Sequence, residues 1–330
     1  MSLVVPKKYF MMTTRRCNCD CDYCYASPDN RDMSEEVLTT STRQIMKTVA
    51  KPLFMWYGGE PILRARGFFE KAIELQEGKA RNLIQTNLTL NKPELLEFLL
   101  ENSFTISTSI DGPRRLHDLR RRYCSGNSNF SDIETNRALL QEKGYTPWAI
   151  CVVSKTNVAH PEEIFDFFYE KGLNIRFCPT TTAEVNPVDY IKFMQRIHKK
   201  WQQKPEIKIS NFSKARQTVI TGTPQECDNM SNCLENNLCI DVDGQIYPCN
   251  RFAGNQEFSL GEVENGVLTA LNSKKGRELA ERTTNCEHNC TTCLNGGCMF
   301  NALSQHGDWK TVDDFCIANQ ELLNIVRQDE

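Results

Sequence analysis

Sixteen cysteines in a chain of 330 residues constrain this fold more than any other feature. They are unevenly placed. Four lie within Cys17–Cys24, nine lie between Cys227 and Cys316, and only Cys124, Cys151 and Cys178 fall between the two groups. The start, Met1-Ser-Leu-Val-Val-Pro-Lys-Lys, lacks the apolar stretch of a signal peptide, and no run of about 18 apolar residues occurs. Without a secretory context, clustered cysteines point to metal or redox chemistry rather than to a disulfide framework. The expected location is the cytoplasm, with no membrane span. A net charge of −3 argues against bulk attraction to nucleic acid or to an anionic membrane.

Residues 9–205 alternate between short apolar runs and amphipathic stretches. Strands are expected at Tyr9–Thr13, Leu53–Tyr57, Leu83–Thr86, Phe104–Ile110, Trp148–Ser154 and Ile175–Pro179, rich in β-branched and aromatic residues. Helices are expected near 34–48, 67–76, 92–101, 131–143, 161–171 and 187–202. Asn91-Lys-Pro-Glu and His160-Pro-Glu-Glu read as helix starts. Six strand–helix units imply an α/β fold with a parallel sheet, too few for a closed eight-fold barrel. The expected architecture is therefore a partial (β/α)6 TIM-like barrel over residues 1–205, with functional residues on the loops after the strands. Residues 206–222 read as a linker. Beyond it, 223–330 is a small cysteine-rich domain with few long apolar runs, which needs metal clusters as staples. Asp241-Val-Asp-Gly-Gln-Ile-Tyr247 reads as a hairpin.

The first cysteine group is Cys17-Asn-Cys-Asp-Cys21-Asp-Tyr23-Cys24, on the loop after the first strand. Read as C-x3-C-x2-C, it offers three thiolates: enough to hold three irons of a 4Fe–4S cluster and leave the fourth open. A structural zinc site wants four ligands, and the spare candidates Cys19 and Asp20 do not give zinc-knuckle spacing. Cys19 either points away from the cluster or is a spare ligand.

With aromatic Tyr23 before Cys24, this motif resembles the signature of the radical S-adenosylmethionine (SAM) enzymes. The resemblance extends along the barrel. Gly58-Gly-Glu-Pro61 looks like the family's GGEP motif, Gln85-Thr-Asn87 like its QTNG segment with Leu88 in place of Gly, and Ser109-Ile-Asp-Gly-Pro113 like its SxDGP segment. Each alone is an ordinary turn; in fixed order after successive strands they are specific together. By that resemblance Tyr23, Gly58, Gly59, Glu60, Asn87, Ser109, Arg121 and Ile175 contact SAM.

The C-terminal group runs Cys227-x5-Cys233-x15-Cys249, then Cys286-x3-Cys290-x2-Cys293-x4-Cys298-x17-Cys316, eight cysteines that suffice for two 4Fe–4S clusters or two zinc sites. Cys233-x10-Gly244-x4-Cys249 and Gly296-Gly-Cys298 resemble elements of a SPASM domain, the auxiliary-cluster domain that follows some radical SAM barrels. The resemblance implies one auxiliary cluster on Cys227, Cys233, Cys249 and Cys298, and another on Cys286, Cys290, Cys293 and Cys316. The spacing of the third block departs from the usual one, and Cys239 competes with Cys233.

Over nearly its whole length the chain resembles anaerobic sulfatase-maturating enzymes and related radical SAM peptide maturases. That implies SAM and three 4Fe–4S clusters as cofactors, reductive cleavage of SAM to a 5′-deoxyadenosyl radical, and hydrogen abstraction from a peptide or protein side chain. It also implies a flavodoxin- or ferredoxin-type electron donor. The sulfatase maturases carry an Asp directly after the cysteine corresponding to Cys249; here that residue is Asn250, and an amide is no base. A crosslink, thioether or epimerisation is therefore expected ahead of formylglycine formation. Only sixteen residues precede Cys17, so a leader-binding protein is expected to be separate. Cys178, near the end of the sixth strand, is a candidate catalytic residue, though a buried structural thiol is the simpler reading. A non-enzymatic iron–sulfur or zinc-stapled protein would leave Gly58–Pro61 and Ser109–Pro113 unexplained.

Overall fold

A computed structural model describes residues 4–181, 184–227, 230, 232–282, 284, 286 and 296–328. Cys290 and Cys293 lie outside the described residues. The chain forms two compact units from interleaved segments. The first comprises Met1–Cys19, Cys24–Ser107 and Asn232–Arg282, the second Asp20–Tyr23, Thr108–Ser231 and Thr283–Glu330.

In the first unit the strands are β1 (Lys8–Met12), β2 (Leu53–Tyr57), β3 (Arg81–Thr86) and the first part of β4 (Thr105–Ser109), with β7 (Asn237–Ile240), β8 (Gln245–Tyr247) and β9 (Gly261–Glu262) from the C-terminal part. Their order is β4-β3-β2-β1-β7-β8-β9. β1 is parallel to β2, Lys8 opposite Leu53, and on its other side parallel to β7, Lys8 opposite Asn237. β7 and β8 form the expected hairpin, antiparallel with Cys239 opposite Tyr247. Helices α1 (Glu35–Thr48), α2 (Arg66–Gln76) and α3 (Pro93–Glu101) follow β1, β2 and β3. Ser34 caps α1 by accepting the Val37 N–H, and acids fill its first turn, as favours a helix N-terminus. Alternation along β2 buries Phe54 and Trp56 on one face, where Trp56 meets the rings of Phe68, Phe69 and Phe104.

The second unit holds the end of β4, β5 (Trp148–Val153) and β6 (Ile175–Pro179), with β5 parallel to β6. Its helices are α4 (Arg114–His117), α5 (Phe130–Glu142), α6 (Pro161–Glu170), α7 (Pro187–Gln203) and α8 (Ser210–Thr221), then α11 (Met299–His306) and α12 (Cys316–Arg327); α9 (Val267–Leu271) and α10 (Lys274–Ala280) belong to the first unit. Ala149, Cys151, Val153, Ile175 and Phe177 point into one apolar core with α6, α7, α8 and α12. The segment 206–222, read above as a linker, carries α8 and a pseudo-strand. Ile175 donates to the Lys208 carbonyl at 2.9 Å, and Asn211 clamps the Phe177 peptide from both sides, accepting its N–H and donating to its carbonyl at 2.9 Å each. The far edge of β6 is thereby sealed. Among the described residues, no helix is long and apolar enough to cross a membrane.

Candidate functional site

The loop after β1 opens where parallel strands present their C-terminal ends. In the first unit its stem is a short ladder. Thr13 donates to Tyr57 at 2.8 Å, Arg15 to Arg31 at 2.9 Å, and Met33 to Thr13 at 3.0 Å. The Gly58–Gly59 turn lies against this stem, with Gly59 donating to Thr14 and Glu60 to Arg16 at 2.9 and 2.8 Å. A Cβ on Gly58 would fall 2.3 Å from the Thr14 carbonyl oxygen, and one on Gly59 2.2 Å from that of Arg16. Both contacts are with backbone, so only glycine fits.

Glu60 is wholly buried. Its carboxylate accepts from the Thr86 hydroxyl and the Asn87 N–H at 2.6 Å each, and from the Ile62 N–H at 3.1 Å. Burial nevertheless raises its carboxyl to about 7. Asn87 then turns to the cysteine loop, donating to Asn18 Oδ1 at 2.8 Å and to Cys19 Sγ at 3.3 Å. Cys19 is thus oriented by Asn87, and its N–H donates to Cys17 Sγ at 3.4 Å. Leu88, where the resemblance has glycine, stands at φ +57°, in the left-handed region that glycine populates freely.

In the second unit, the Asp20–Tyr23 part of the loop is tied to the segment after β4. Asp20 donates to the Arg122 carbonyl at 2.9 Å. The buried Tyr23 hydroxyl donates to Asp111, and Arg121 Nε lies 3.3 Å from the same carboxylate. Arg121 Nη1 is 3.6 Å from Cys21 Sγ, and its guanidinium stands 5.5 Å above the Tyr23 ring. Asp111 also accepts the Val152 N–H at 2.9 Å. The Ser109–Pro113 motif contains Asp111 without giving it a role of its own; in the structure it is the hub that orients Tyr23 and Arg121. Ser109 ends β4, half-buried. Ile175, the first residue of β6, sends its side chain into the helix-facing core, and its N–H is taken by the Lys208 carbonyl. Cys178 alternates to that other face and is half-buried, opposite Val152 in register, whereas Cys151 is enclosed in the core.

Of the C-terminal cysteines, Cys233, Cys239 and Cys249 belong to the first unit, and Cys227, Cys286, Cys298 and Cys316 to the second. Cys239 is wholly buried inside β7, and burial pushes its thiol well up. Cys233 opens a helical turn and Cys249 caps another, both half-buried. In the second unit Cys298 opens α11 and Cys316 opens α12. Buried Asp313 joins them, accepting the N–H groups of Cys298 and Phe315 at 3.1 and 3.0 Å while its carbonyl accepts that of Cys316 at 2.9 Å. Nothing in the sequence pattern marked Asp313. Among the described residues, no three Cys, His, Asp or Glu side chains are gathered as a metal-binding set. The donor chemistry fits iron–sulfur ligation nonetheless. An N–H of the Arg121 guanidinium faces Cys21 sulfur and the Cys19 N–H faces Cys17 sulfur, donors of the kind that orient ligating sulfurs.

Residues 11–168 match the radical SAM superfamily, and residues 227–294 match SPASM, an iron–sulfur cluster-binding domain. The chain carries a radical SAM domain and a SPASM domain. The cysteine-type anaerobic sulfatase-maturating enzyme of Clostridium perfringens (strain 13 / Type A) is 28% identical over 318 residues, covering 86% of this chain and 85% of that protein. The serine-type enzyme of Bacteroides thetaiotaomicron is 27% identical over 343 residues, covering 88% and 82%. Native anSMEcpe with bound AdoMet superposes with a TM-score of 0.87 at 23% identity, covering 98% of each chain. Streptococcus suis SuiB bound to S-adenosylmethionine gives 0.71 at 15% identity, covering 93% of this chain and 76% of that one. These structures share the fold, so this radical SAM enzyme has the partial β/α barrel followed by a SPASM domain.

Proposed function

We propose that this radical SAM enzyme modifies a side chain of a peptide or protein, forming a crosslink, a thioether or an epimerised centre. Cys17, Cys21 and Cys24 would hold the SAM-binding 4Fe–4S cluster. Cys227, Cys233, Cys249 and Cys298 would hold one auxiliary cluster, and Cys286, Cys290, Cys293 and Cys316 the other. Cys233 is preferred to Cys239 because the latter is enclosed within a strand. When bound, the reduced cluster and SAM supply hydrogen-atom abstraction. The chain's own residues bind and orient. The close-packed Gly58–Gly59 backbone, Glu60, Asn87, Ser109, Ile175 and the Tyr23–Asp111–Arg121 group would hold SAM, and Cys178 is the candidate for contact with substrate. A flavodoxin- or ferredoxin-type donor, a leader-binding protein and a cytoplasmic location complete the reading.

The observation that carries it is the near full-length relation to enzymes named for maturing sulfatases, combined with Asn250. In the first unit Asn250 Nδ2 donates to the Tyr25 hydroxyl. An amide held as a donor takes no proton, which favours other side-chain chemistry over formylglycine formation. The relatives' names favour formylglycine as the second reading. The test is anaerobic: reconstituted protein with about twelve irons per chain should release 5′-deoxyadenosine with SAM and dithionite. Cys- and Ser-containing sulfatase peptides are then compared with cysteine-rich peptides by mass spectrometry. An aldehyde on the sulfatase peptides would establish the second reading. Zinc in place of iron, or no 5′-deoxyadenosine from loaded protein, would overturn both.

A further inference from the structure

Arg15 stands two residues before Cys17 and meets four separate segments of the first unit. Its N–H donates to the Arg31 carbonyl on the return leg of the cysteine loop, at 2.9 Å. Its own carbonyl oxygen lies 2.8 Å from where a Cβ on Gly59 would be, so it presses on the Gly58–Gly59 turn. Its guanidinium forks onto Asp241, 226 residues later, with Nε 3.2 Å from Oδ1 and Nη2 bonded to Oδ2. Gly254 completes the enclosure: a Cβ there would sit 2.7 Å from Arg15 Nη2. The guanidinium is 6% exposed and the carboxylate 0%.

Asp241 is rigidly placed on the turn between β7 and β8. Its N–H donates to Gln245 at 2.9 Å, its carbonyl accepts from Gly244 at 3.0 Å, and Oδ1 also accepts the Val242 N–H at 2.8 Å. A buried ion pair is a poor way to gain stability, because desolvation offsets the attraction and an apolar pair of similar volume often folds as well. What the fork supplies is orientation, since a bidentate guanidinium–carboxylate contact fixes both partners in plane. Here it fixes the residue from which the Cys17 loop departs.

We propose that Arg15 and Asp241 are a positioning pair that holds the Cys17 loop in its cluster-binding conformation, so that the SAM-binding cluster depends on the β7–β8 turn. Neither residue is among those assigned above to SAM or substrate. The inference rests on the assignment of Cys17, Cys21 and Cys24 to that cluster.

The test uses the full-length chain, reconstituted anaerobically. Wild type, Arg15→Lys, the double variant Arg15→Met/Asp241→Leu and a Cys17→Ala control are compared. The readouts are iron per chain, thermal melting, and the change that SAM induces in the electron paramagnetic resonance spectrum of the reduced protein. Lysine keeps the charge and loses the fork; the double variant removes both charges and keeps apolar bulk. Both should lose roughly tenfold in the affinity with which SAM induces its spectral change, the scale seen when partners of metal ligands are removed. The double variant should melt within about 4 °C of wild type. A folded double variant with wild-type SAM response would overturn the proposal. So would failure of both variants to fold, which would make the pair a folding element only. If wild type shows no SAM-induced change, or Cys17→Ala keeps it, the cluster assignment itself is at fault.

Discussion

At the scale of single residues, Glu60 gives the site a pH dependence with a definite sign. Burial raises its carboxyl from the ordinary 4.5 to about 7, despite three hydrogen bonds that favour the charged form. Between those values the folded chain binds more protons than the unfolded one. The stabilisation is complete below about 4.5 and is lost as pH rises through about 7. Glu60→Gln has no such titration. The stability difference between wild type and Glu60→Gln should therefore shrink by on the order of 2 kcal/mol from about pH 5 to 7.5, as read by denaturant unfolding; a constant difference would show that Glu60 titrates normally. Gly59→Ala makes a different prediction. Its Cβ meets the Arg16 carbonyl oxygen, part of the backbone entering the cysteine loop. The substitution should cost about 3 kcal/mol and lower iron on the first cluster, checked by unfolding and by the reduced cluster's spectrum. Gly58, Gly59 and the loop cysteines were legible because their chemistry is local: glycine where backbones touch, thiols at fixed spacing. Asp111, Arg15 and Asp313 were not. Arg15 and Asp111 act through partners distant in sequence and Asp313 through nearby backbone, and a lone Asp or Arg carries no mark of which partner it meets.

At the scale of elements, the strands and helices of residues 9–205 follow their expected bounds closely because alternation and helical spacing agree with burial. Phe54 and Trp56 on β2 and Ile164, Phe165 and Phe168 on α6 all enter cores. α8 escaped the same reasoning. Its buried residues are Phe212, Ala215 and Thr218, only one of them strongly apolar, while Ile220 is 68% exposed and disturbs the period. Its function in the fold lies at Asn211. That side chain replaces a missing strand neighbour for Phe177, next to Cys178. Asn211→Ala leaves the Phe177 N–H without that partner, at a cost of about 1–3 kcal/mol if it stays dry, while the Phe177 carbonyl keeps the Tyr190 hydroxyl at 3.3 Å. Hydrogen exchange should show the Phe177 amide losing protection while amides of β2 keep theirs; unchanged protection at Phe177 would mean that water or another group takes over.

At the scale of the whole molecule, composition and contact divide the chain differently. Composition separates an apolar-rich stretch of alternating elements from a cysteine-rich remainder, and so suggests a boundary near 206–222. Strand pairing ignores that change, because which distant segment completes a strand's hydrogen bonds is not written in its neighbours. β1 takes β2 on one side and β7 on the other, Lys8–Met11 against Asn237–Ile240. Removing residues after 222 would strip β7 from β1 and leave a row of unpaired backbone groups beside buried Tyr9 and Met11. It would also leave Arg15 without its carboxylate, an uncompensated cation in a buried setting. In the second unit it would uncover the faces of α7 and α8 against which α12 packs. Residues 1–222 expressed alone should therefore aggregate rather than behave as an independent barrel. Anaerobic size-exclusion chromatography decides it: a monodisperse species whose reduced spectrum responds to SAM would show that β1 tolerates an open edge and that the N-terminal part folds by itself. Aggregation relieved by restoring residues 223–282, with or without the cysteines of that segment, would show that the missing strand matters rather than the missing metal.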